Sequence, residues 1–183
     1  MKIAITGHTK GIGKALFDNL IKAGHTCYGF SRSNGYDITD KQSQENIIGR
    51  SLKCDVFINN AYNGFSQEEL LDLIYNEWKD CDDKTIVVIN SRTRFGVARN
   101  RVYAHSKKQL HHKTIKCFSD PEKRCRVISI SPGYVKTNMT STDEYSEFKM
   151  MTPEELAELI SWCINQPQHI EIGELSCWYT TLK

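Results

Sequence analysis

Tyr103 and Lys107 are the two side chains of this sequence whose types and spacing best suit acid–base chemistry. They are four residues apart, so on a helix both point to one face. A nearby ammonium group favours the phenolate and lowers the tyrosine pKa, which prepares the phenol to exchange a proton with a substrate hydroxyl. Ser91 follows a predicted strand, and its hydroxyl could support negative charge developing on the same oxygen. Thr93 lies close enough to compete for that role.

A glycine-rich stretch follows the first predicted strand and reads Thr6-Gly7-His8-Thr9-Lys10-Gly11-Ile12-Gly13. Glycines permit a tight turn and let backbone N–H groups and a helix N-terminus approach a pyrophosphate. The spacing Gly-x-x-x-Gly-x-Gly differs from the Gly-x-Gly-x-x-Gly fingerprint of other dinucleotide folds. Its place between a strand and a helix nevertheless predicts a dinucleotide site, the alternative being an ordinary loop.

The residues after the second predicted strand indicate which dinucleotide this would be. An acidic residue there would bind the ribose 2′-hydroxyl and favour NAD, but the strand ends in Ser31-Arg32. A guanidinium can donate two hydrogen bonds to a 2′-phosphate, and Lys10 adds a second cation beside the same loop. The sequence therefore predicts NADP(H) in preference to NAD(H), unless both cations are simply solvated.

Short apolar runs alternate with longer helical patterns, which is typical of β-α-β units around a parallel sheet. The predicted strands are Lys2–Thr6, Thr26–Ser31, Val56–Asn59, Thr85–Asn90, Arg126–Ser131 and Leu175–Tyr179. The predicted helices are Gly13–Ala23, Ser66–Lys79 and Thr152–Asn165. Right-handed crossovers would then give an α/β fold, a single doubly wound parallel sheet in a Rossmann-like three-layer α/β/α arrangement. We expect one domain over residues 1–183.

Local signals predict where the helices begin and end. Gly24 follows the first predicted helix as a C-cap. Ser66 and Glu69 have the spacing of a capping box. Thr152 is predicted to cap a helix that opens with proline and two glutamates.

Composition excludes several classes of function. The chain of 183 residues has a net charge of +2, without long basic runs, which argues against nucleic acid as the main partner. Seven cysteines occur without a Cys-x-x-Cys pair, and the adjacent His111 and His112 point about 100° apart on a helix, so no metal site is predicted. No apolar run reaches membrane-spanning length, and a strand follows Met1 directly, so we expect a cytoplasmic protein without a signal peptide.

Five motifs in order resemble those of the short-chain dehydrogenase/reductase family. Thr6–Gly13 is similar to its cofactor loop, and Asp37-Ile38 to its adenine-flanking pair. The remaining motifs are similar to its Asn-Asn-Ala-Gly, Tyr-x-x-x-Lys and Pro-Gly-x-x-x-Thr signatures: Asn59-Asn60-Ala61, Tyr103–Lys107 and Pro132–Thr137.

The resemblance implies a role for each matching residue. Tyr103 would be the acid/base, Lys107 would modulate its pKa and bind ribose, and Ser91 would bind the substrate oxygen. The family also anchors a relay water with an asparagine, for which Asn63 is the nearest candidate, although Asn63-Gly64 also suits a turn. The expected cofactor-binding residues are Gly7, Thr9, Lys10, Gly11, Ile12, Gly13, Ser31, Arg32, Asp37, Ile38, Asn59, Asn60, Ala61, Tyr103, Lys107, Pro132, Gly133, Val135 and Thr137. The polar stretch Asn138–Met151 would form a substrate lid, or a connector without function.

Three departures from the family pattern bear on function. The chain is shortened, largely between Asn60 and Ser91, which would open the substrate side. Tyr62 replaces the signature glycine, so its ring would either narrow the substrate pocket or turn away. The helix after Tyr103 is basic, where the family uses small and apolar residues to form dimers. A cationic surface would repel its own copy across a two-fold axis, which predicts a monomer or an altered homodimer.

The leading hypothesis is an NADP-preferring oxidoreductase that moves hydride between the dinucleotide and a small carbonyl or alcohol substrate. One alternative is a dinucleotide-binding regulator or redox sensor that keeps the fold without catalysis. Another is an epimerase or dehydratase that uses transient hydride transfer, which the short chain disfavours.

Overall fold

The computed structural model describes residues 1–95, 100–142 and 148–180. Its six strands are β1 (Lys2–Thr6), β2 (Thr26–Phe30), β3 (Val56–Asn59), β4 (Thr85–Ile89), β5 (Arg126–Pro132) and β6 (Glu174–Cys177). Its five α-helices are α1 (Gly11–Lys22), α2 (Lys41–Ser51), α3 (Ser66–Trp78), α4 (Arg101–Ser119) and α5 (Pro153–Ile164). The six predicted strands are confirmed with small shifts at their ends; Tyr179 lies beyond β6.

All strands pair in parallel in one sheet of order β2-β1-β3-β4-β5-β6. Every residue of β3, β4 and β5 is buried, whereas the edge strands β2 and β6 are partly exposed. This difference follows from position, because helices cover both faces of the central strands. The predicted fold class is therefore confirmed.

Two apolar clusters, one on each face, hold the helices against the sheet. Leu16 of α1 and Leu156 of α5 pack with β1 and neighbouring strands on one face. Ile47 of α2, Leu70 of α3 and Leu110 of α4 belong to the cluster on the other face. The sheet is thus the middle of three layers, and its carboxyl ends are left open to the loops.

The chain reverses direction between β1 and β3. From β1 it runs outward to β2, and it then returns through α2 to β3 on the other side of β1. In open α/β sheets ligands bind in the crevice at such a switch point. The sheet topology alone therefore places a ligand site beyond Thr6 and Asn59.

The shortening of the chain is not confined to the region between Asn60 and Ser91. The common doubly wound order carries a further strand outside the one that corresponds to β2. Here β2 is the edge strand, and a single 3₁₀ turn, Arg32–Asn34, leads towards α2. A helix–strand excursion is absent at this point of the described chain, so the β2 edge of the sheet is shortened as well.

The helix ends correct two of the predictions. The predicted capping box at Ser66 is wrong, because Phe65 occupies the N-cap of α3 and no side chain caps this terminus. Helix α1 begins at Gly11, inside the glycine loop and two residues before its predicted start. Gly24 ends this helix as predicted: it is left-handed, with a φ of 85°, and the Gly24 and His25 backbone N–H groups donate to the Ile21 and Leu20 carbonyl oxygens. The capping box at α5 is confirmed, with Thr152 and Glu155 bonding each other's backbone N–H groups.

Candidate active site

A cavity of about 1390 Å³ lies at the carboxyl ends of the strands. It is larger than the ~300–1,000 Å³ typical of a pocket for one small ligand. Of the predicted site residues, Asn59 alone does not line it; its side chain is fully buried behind the wall. The residues brought together are Gly7, Thr9, Lys10, Gly11, Ile12, Gly13, Ser31, Arg32, Asp37, Ile38, Asn60, Ala61, Asn63, Ser91, Tyr103, Lys107, Pro132, Gly133, Val135 and Thr137.

The glycine loop forms one wall of this cavity with its backbone. Gly7 and Gly11 have φ angles of 71° and 53°, a region that favours glycine. A Cβ atom at Gly13 would lie 2.2 Å from the Gly7 carbonyl oxygen, so no side chain fits there. The N-terminus of α1 has no side-chain cap, and its first N–H groups remain available to an anion.

Thr6 and Asn60 tie the glycine loop to the end of β3. The Thr6 hydroxyl accepts hydrogen bonds from the Asn60 and Ala61 backbone N–H groups, both at 3.0 Å. The Asn60 amide donates to the Thr6 carbonyl oxygen at 2.9 Å. The two neighbouring strands therefore present a fixed backbone surface at the switch point.

The rim beyond β2 carries the residues predicted to select the dinucleotide. Ser31 is held by Asn34, whose side-chain oxygen accepts from the Ser31 backbone N–H at 2.8 Å, and Arg32 is exposed beside it. Asp37 accepts hydrogen bonds from the Thr39 backbone N–H and hydroxyl, both at 2.9 Å. These bonds, with a smaller effect of the Arg32 charge, lower the pKa of Asp37.

Ser91 lies at the end of β4 and is 7% exposed. Its hydroxyl oxygen accepts hydrogen bonds from the Thr93 backbone N–H at 3.2 Å and from the Thr93 hydroxyl at 3.0 Å. Thr93 is thus a hydrogen-bond partner of Ser91, and the assignment of the oxygen-binding role to Ser91 stays a prediction. With its oxygen lone pairs engaged, the Ser91 O–H can serve as a donor towards the cavity.

Tyr103 lies in the first turn of α4, where Asn100 caps the helix by accepting from the Tyr103 backbone N–H at 2.9 Å. Its ring meets the ring of Tyr62 edge-on, with centroids 4.9 Å apart and an angle of 79° between the planes. Tyr62, which stands in place of the signature glycine, thus lines the cavity against Tyr103 and does not turn away.

Lys107 lies one turn further along α4 and is only 3% exposed. Its ammonium group donates to the Gln67 side-chain oxygen at 2.7 Å and to the Ile89 carbonyl oxygen at 2.9 Å. The nitrogen lies 5.7 Å from the Tyr103 ring centroid and 5.4 Å from that of Tyr62. Burial lowers the pKa of Lys107 to about 7.

Gln67 of α3 is a functional candidate that the sequence reasoning missed. It is 2% exposed, and its amide nitrogen donates to the carbonyl oxygens of Asn59 at 2.8 Å and Ile89 at 3.0 Å. The Asn59 side-chain amide donates in return to the Gln67 backbone carbonyl oxygen at 2.8 Å. These hydrogen bonds fix the orientation of the Gln67 side-chain amide, with its oxygen towards Lys107. The only signal for Gln67 in the sequence was its polar side chain on the apolar face of α3.

Asn63, the predicted water anchor, lines the cavity in the loop before α3. In the described residues no hydrogen bond joins its side chain to Ser91, Tyr103 or Lys107. The side chain of this region that does contact the lysine is Gln67. The role of Asn63 as a water anchor stays a prediction.

The segment after β5 crosses the glycine loop. A Cβ atom on Gly11 would lie 3.1 Å from a methyl carbon of Thr137, so Thr137 rests directly on the loop. Val135 forms a parallel bridge with Met151, which closes the base of the predicted lid. Residues 143–147 of that lid lie outside the described residues, and its function stays a prediction.

Aromatic and cationic side chains form the opposite end of the cavity. The Arg92 guanidinium stacks on the Trp178 ring, with its carbon 3.8 Å from the ring centroid. Tyr134 and Phe148 pack together with centroids 4.6 Å apart, and Lys149 lies over the ring of Tyr179 at 5.8 Å. None of these contacts was predicted from the sequence.

Curated relatives of this chain are oxidoreductases. An uncharacterized oxidoreductase of Staphylococcus aureus is 24% identical over 168 residues, covering 76% of this chain and 72% of the relative. Serine 3-dehydrogenase of Agrobacterium fabrum is 23% identical over 227 residues, covering 94% and 91%. That alignment is longer than the 183 residues of the chain, so the relative carries insertions. No family model matches the chain.

Solved structures match the whole architecture. A serine dehydrogenase complexed with NADP+ superposes with a TM-score of 0.82 at 18% identity, covering 100% of this chain and 98% of the other. A short-chain dehydrogenase from Burkholderia cenocepacia in complex with NADP has a TM-score of 0.81 at 18% identity, covering 96% and 86%. The chain has the fold of the short-chain dehydrogenases/reductases, which confirms the resemblance seen in its motifs.

None of the described helices combines the length and the apolar character needed to cross a membrane.

Proposed function

We propose that the protein is an NAD(P)-dependent oxidoreductase, with NADP(H) preferred, acting on a small carbonyl or alcohol substrate as one domain. The observation that carries the proposal is that Ser91, Tyr103 and Lys107 line the same cavity as the glycine loop. A proton donor, an oxygen-binding hydroxyl and a buried amine therefore face the space beside a backbone anion site.

The cavity fits a dinucleotide in three respects. Gly13 packs without a side chain against the Gly7 carbonyl group and the Asn60 amide, which holds the start of α1 close against the glycine loop. The uncapped start of α1 offers N–H groups to a pyrophosphate. The Asn90 amide nitrogen is buried at the cavity wall without a hydrogen-bond partner in the described part of the chain, as expected of a group that awaits a ligand.

Each protein group has a defined task in the reduction of a carbonyl. When bound, the reduced dinucleotide would supply a hydride to the carbonyl carbon. The Ser91 hydroxyl donates a hydrogen bond to the substrate oxygen, and the Tyr103 hydroxyl gives that oxygen its proton. The Lys107 ammonium stabilises the phenolate that remains on Tyr103. In the oxidation of an alcohol the same groups act in reverse.

Gln67 would position Lys107 for this task. An ammonium group buried without partners would lose its proton, and the Gln67 oxygen provides one of the two acceptors that favour its charged form. Because the Gln67 nitrogen is bonded to two backbone carbonyl groups, the amide cannot rotate without breaking both bonds. The lysine is thus held beside Tyr103 in the free protein.

A regulator or redox sensor remains the second candidate, favoured by the Tyr62 ring in the substrate end of the cavity. A sensor needs the dinucleotide site but not a proton donor. An oxidoreductase therefore needs the Tyr103 hydroxyl after the dinucleotide has bound, whereas a sensor does not.

The test combines dinucleotide binding with turnover. NADPH binding is measured by fluorescence titration, and turnover by loss of NADPH absorbance with a panel of aldehydes, ketones and quinones. We expect Tyr103→Phe to lower kcat/KM by about 100-fold or more while NADPH still binds. Tyr28→Phe, which removes the hydroxyl of an exposed tyrosine on the edge strand, is the matched control and should leave both unchanged. NADPH binding with no turnover of any substrate would support the sensor.

A further inference from the structure

The stacked pair of Arg92 and Trp178 has no role in the proposed reaction. The two residues are distant in sequence: Arg92 starts the 3₁₀ turn after β4, and Trp178 follows β6. Both line the cavity. A guanidinium that stacks through its face keeps its N–H donors at its edge, and in the described residues no carboxylate or carbonyl accepts from Arg92.

The position of this pair is fixed by backbone contacts. The Gly133 backbone N–H donates to the Cys177 carbonyl oxygen at 2.7 Å. A Cβ atom on Gly133 would lie 2.8 Å from the Trp178 Cβ atom, so the tryptophan rests directly on the end of β5. Ser91, the residue before Arg92, is anchored through its backbone N–H to the Asn90 side-chain oxygen at 3.0 Å. Arg92 therefore follows directly after Ser91, whose hydroxyl is proposed to bind the substrate oxygen.

The described side chains at this end of the cavity carry a positive charge. Arg92 and Lys149 are the cations grouped there with the aromatic side chains. Among the described lining residues the only carboxylate is Asp37, which is engaged with Thr39 at the adenine rim. In the described wall, nothing beside Arg92 would repel a bound anion.

We propose that Arg92 binds the carboxylate of the substrate, so that the protein acts on hydroxy acids and the corresponding oxo acids. This inference rests on the proposed function and names its substrate class. The edge of a guanidinium offers two parallel N–H donors, which match the two oxygens of a planar carboxylate. Trp178 holds the fork in one orientation by cation–π stacking, while the substrate hydroxyl faces Ser91 and Tyr103.

The test is a charge-matched substrate series. Straight-chain hydroxy acids with the hydroxyl one to four carbons from the carboxyl group are oxidised with NADP+, each beside its methyl ester and the corresponding hydroxyalkyl phosphate. We expect the best acid to exceed its ester in kcat/KM by about 10- to 100-fold, since a charge-assisted pair is involved. Arg92→Leu should abolish this preference, and Arg92→Lys should restore only part of it. Preference for the ester, or for the phosphate over the acid, would overturn the proposal.

Arg124→Leu is the matched control. It removes the same charge from an exposed arginine that pairs with Asp82 and lies outside the cavity, so the preference for the acid should persist. Thermal melts of each variant check that the fold is intact.

A binding measurement separates failure of this inference from failure of the proposed function. Butyrate carries a carboxylate but no hydroxyl, and butyramide is its neutral counterpart. We expect butyrate, but not butyramide, to change the tryptophan fluorescence of the protein with NADPH bound, and expect Trp178→Phe to lose the change. Butyrate binding without turnover of any hydroxy acid would leave the anion site standing and reject the oxidoreductase. Turnover of neutral alcohols with no response to Arg92→Leu would reject the anion site alone.

Discussion

The two ends of the cavity are built in different ways. At the dinucleotide end the wall is backbone: the glycine loop, the start of α1 and the Thr6–Asn60 hydrogen bonds. At the substrate end the wall is made of side chains that project from separate loops, with Tyr62, Arg92 and Trp178 as its main members. A backbone wall recognises a ligand part common to many proteins, whereas side chains can change from one protein to the next without disturbing the sheet.

This contrast predicts how each end responds to substitution. Adding an atom to the backbone wall displaces main chain, so small changes should have large effects. Replacing a side chain at the substrate end removes a contact but leaves the sheet intact. Lys107 and Gln67 lie between the two ends, and their substitution should have an effect on kcat/KM of intermediate size.

The largest effect is expected at Gly13. Gly13→Ala would place a Cβ atom 2.2 Å from the Gly7 carbonyl oxygen, so the start of α1 and the Gly7 turn must move apart and the backbone wall is distorted. We expect NADPH affinity, measured by fluorescence titration, to fall by about 100-fold or more, because close backbone approach is what the glycine provides.

Gly49→Ala provides the control for this change. Gly49 lies inside α2, and a Cβ atom there would meet nothing within 4 Å. This substitution should raise stability by up to about 1 kcal/mol through helix propensity and leave NADPH affinity unchanged. A Gly13→Ala variant that binds NADPH normally would break the contrast between the two ends.

The same contrast explains which features could be predicted from the sequence. The glycine loop is contiguous, and the strands are short apolar runs, so local patterns suffice for both. Helix α2 was missed because its sequence, Lys41–Ser51, is mostly polar and contains a glycine, although Ile47 and Ile48 are buried. A local pattern does not reveal that those two residues suffice to pack it.

Long-range contacts could not be predicted for a different reason. Arg92 and Trp178 meet only because β4 and β6 both border β5 in the sheet. Gln67 and Lys107 meet because α3 and α4 pack on the same face. Sequence spacing carries no information on either pair until the strand order is known.

An intermediate effect is expected at Gln67. Gln67→Leu removes one acceptor from the buried Lys107 ammonium and takes the amide donor away from the Asn59 carbonyl oxygen, while the Ile89 carbonyl oxygen keeps its hydrogen bond from Lys107. Leaving a charged group short of a partner is costly, so we expect kcat/KM at neutral pH to fall by about 10- to 100-fold.

The pH profile tests whether this loss acts through Lys107. Burial lowers the pKa of Lys107 to about 7, so the ammonium is present below that pH and is lost above it. The kcat/KM for NADPH, which reports groups of the free enzyme, should therefore decline as the pH rises through about 7. Since loss of an acceptor disfavours the charged form, Gln67→Leu should move this decline to lower pH.

Gln44→Leu controls for a merely structural effect of losing a buried glutamine. Gln44 is 4% exposed and donates to the Ile38 carbonyl oxygen and to Glu69, away from Lys107. It should lower the melting temperature without shifting the pH profile. Equal profiles for the two variants would reject a positioning role for Gln67.

The smallest effect is expected at Arg32, where the dinucleotide end changes from backbone to an exposed side chain. Arg32→Ala removes a guanidinium suited to a 2′-phosphate, but Lys10 stays on the cavity wall and solvent screens both charges. We expect the kcat/KM for NADPH, divided by the kcat/KM for NADH, to fall by about tenfold, because the KM for NADPH rises while kcat stays the same. The measurement is a comparison of both dinucleotides at low and high salt, with Arg124→Ala as the control. A ratio that already favours NADH in the unchanged protein, or that Arg32→Ala leaves untouched, would show that this rim does not select the dinucleotide.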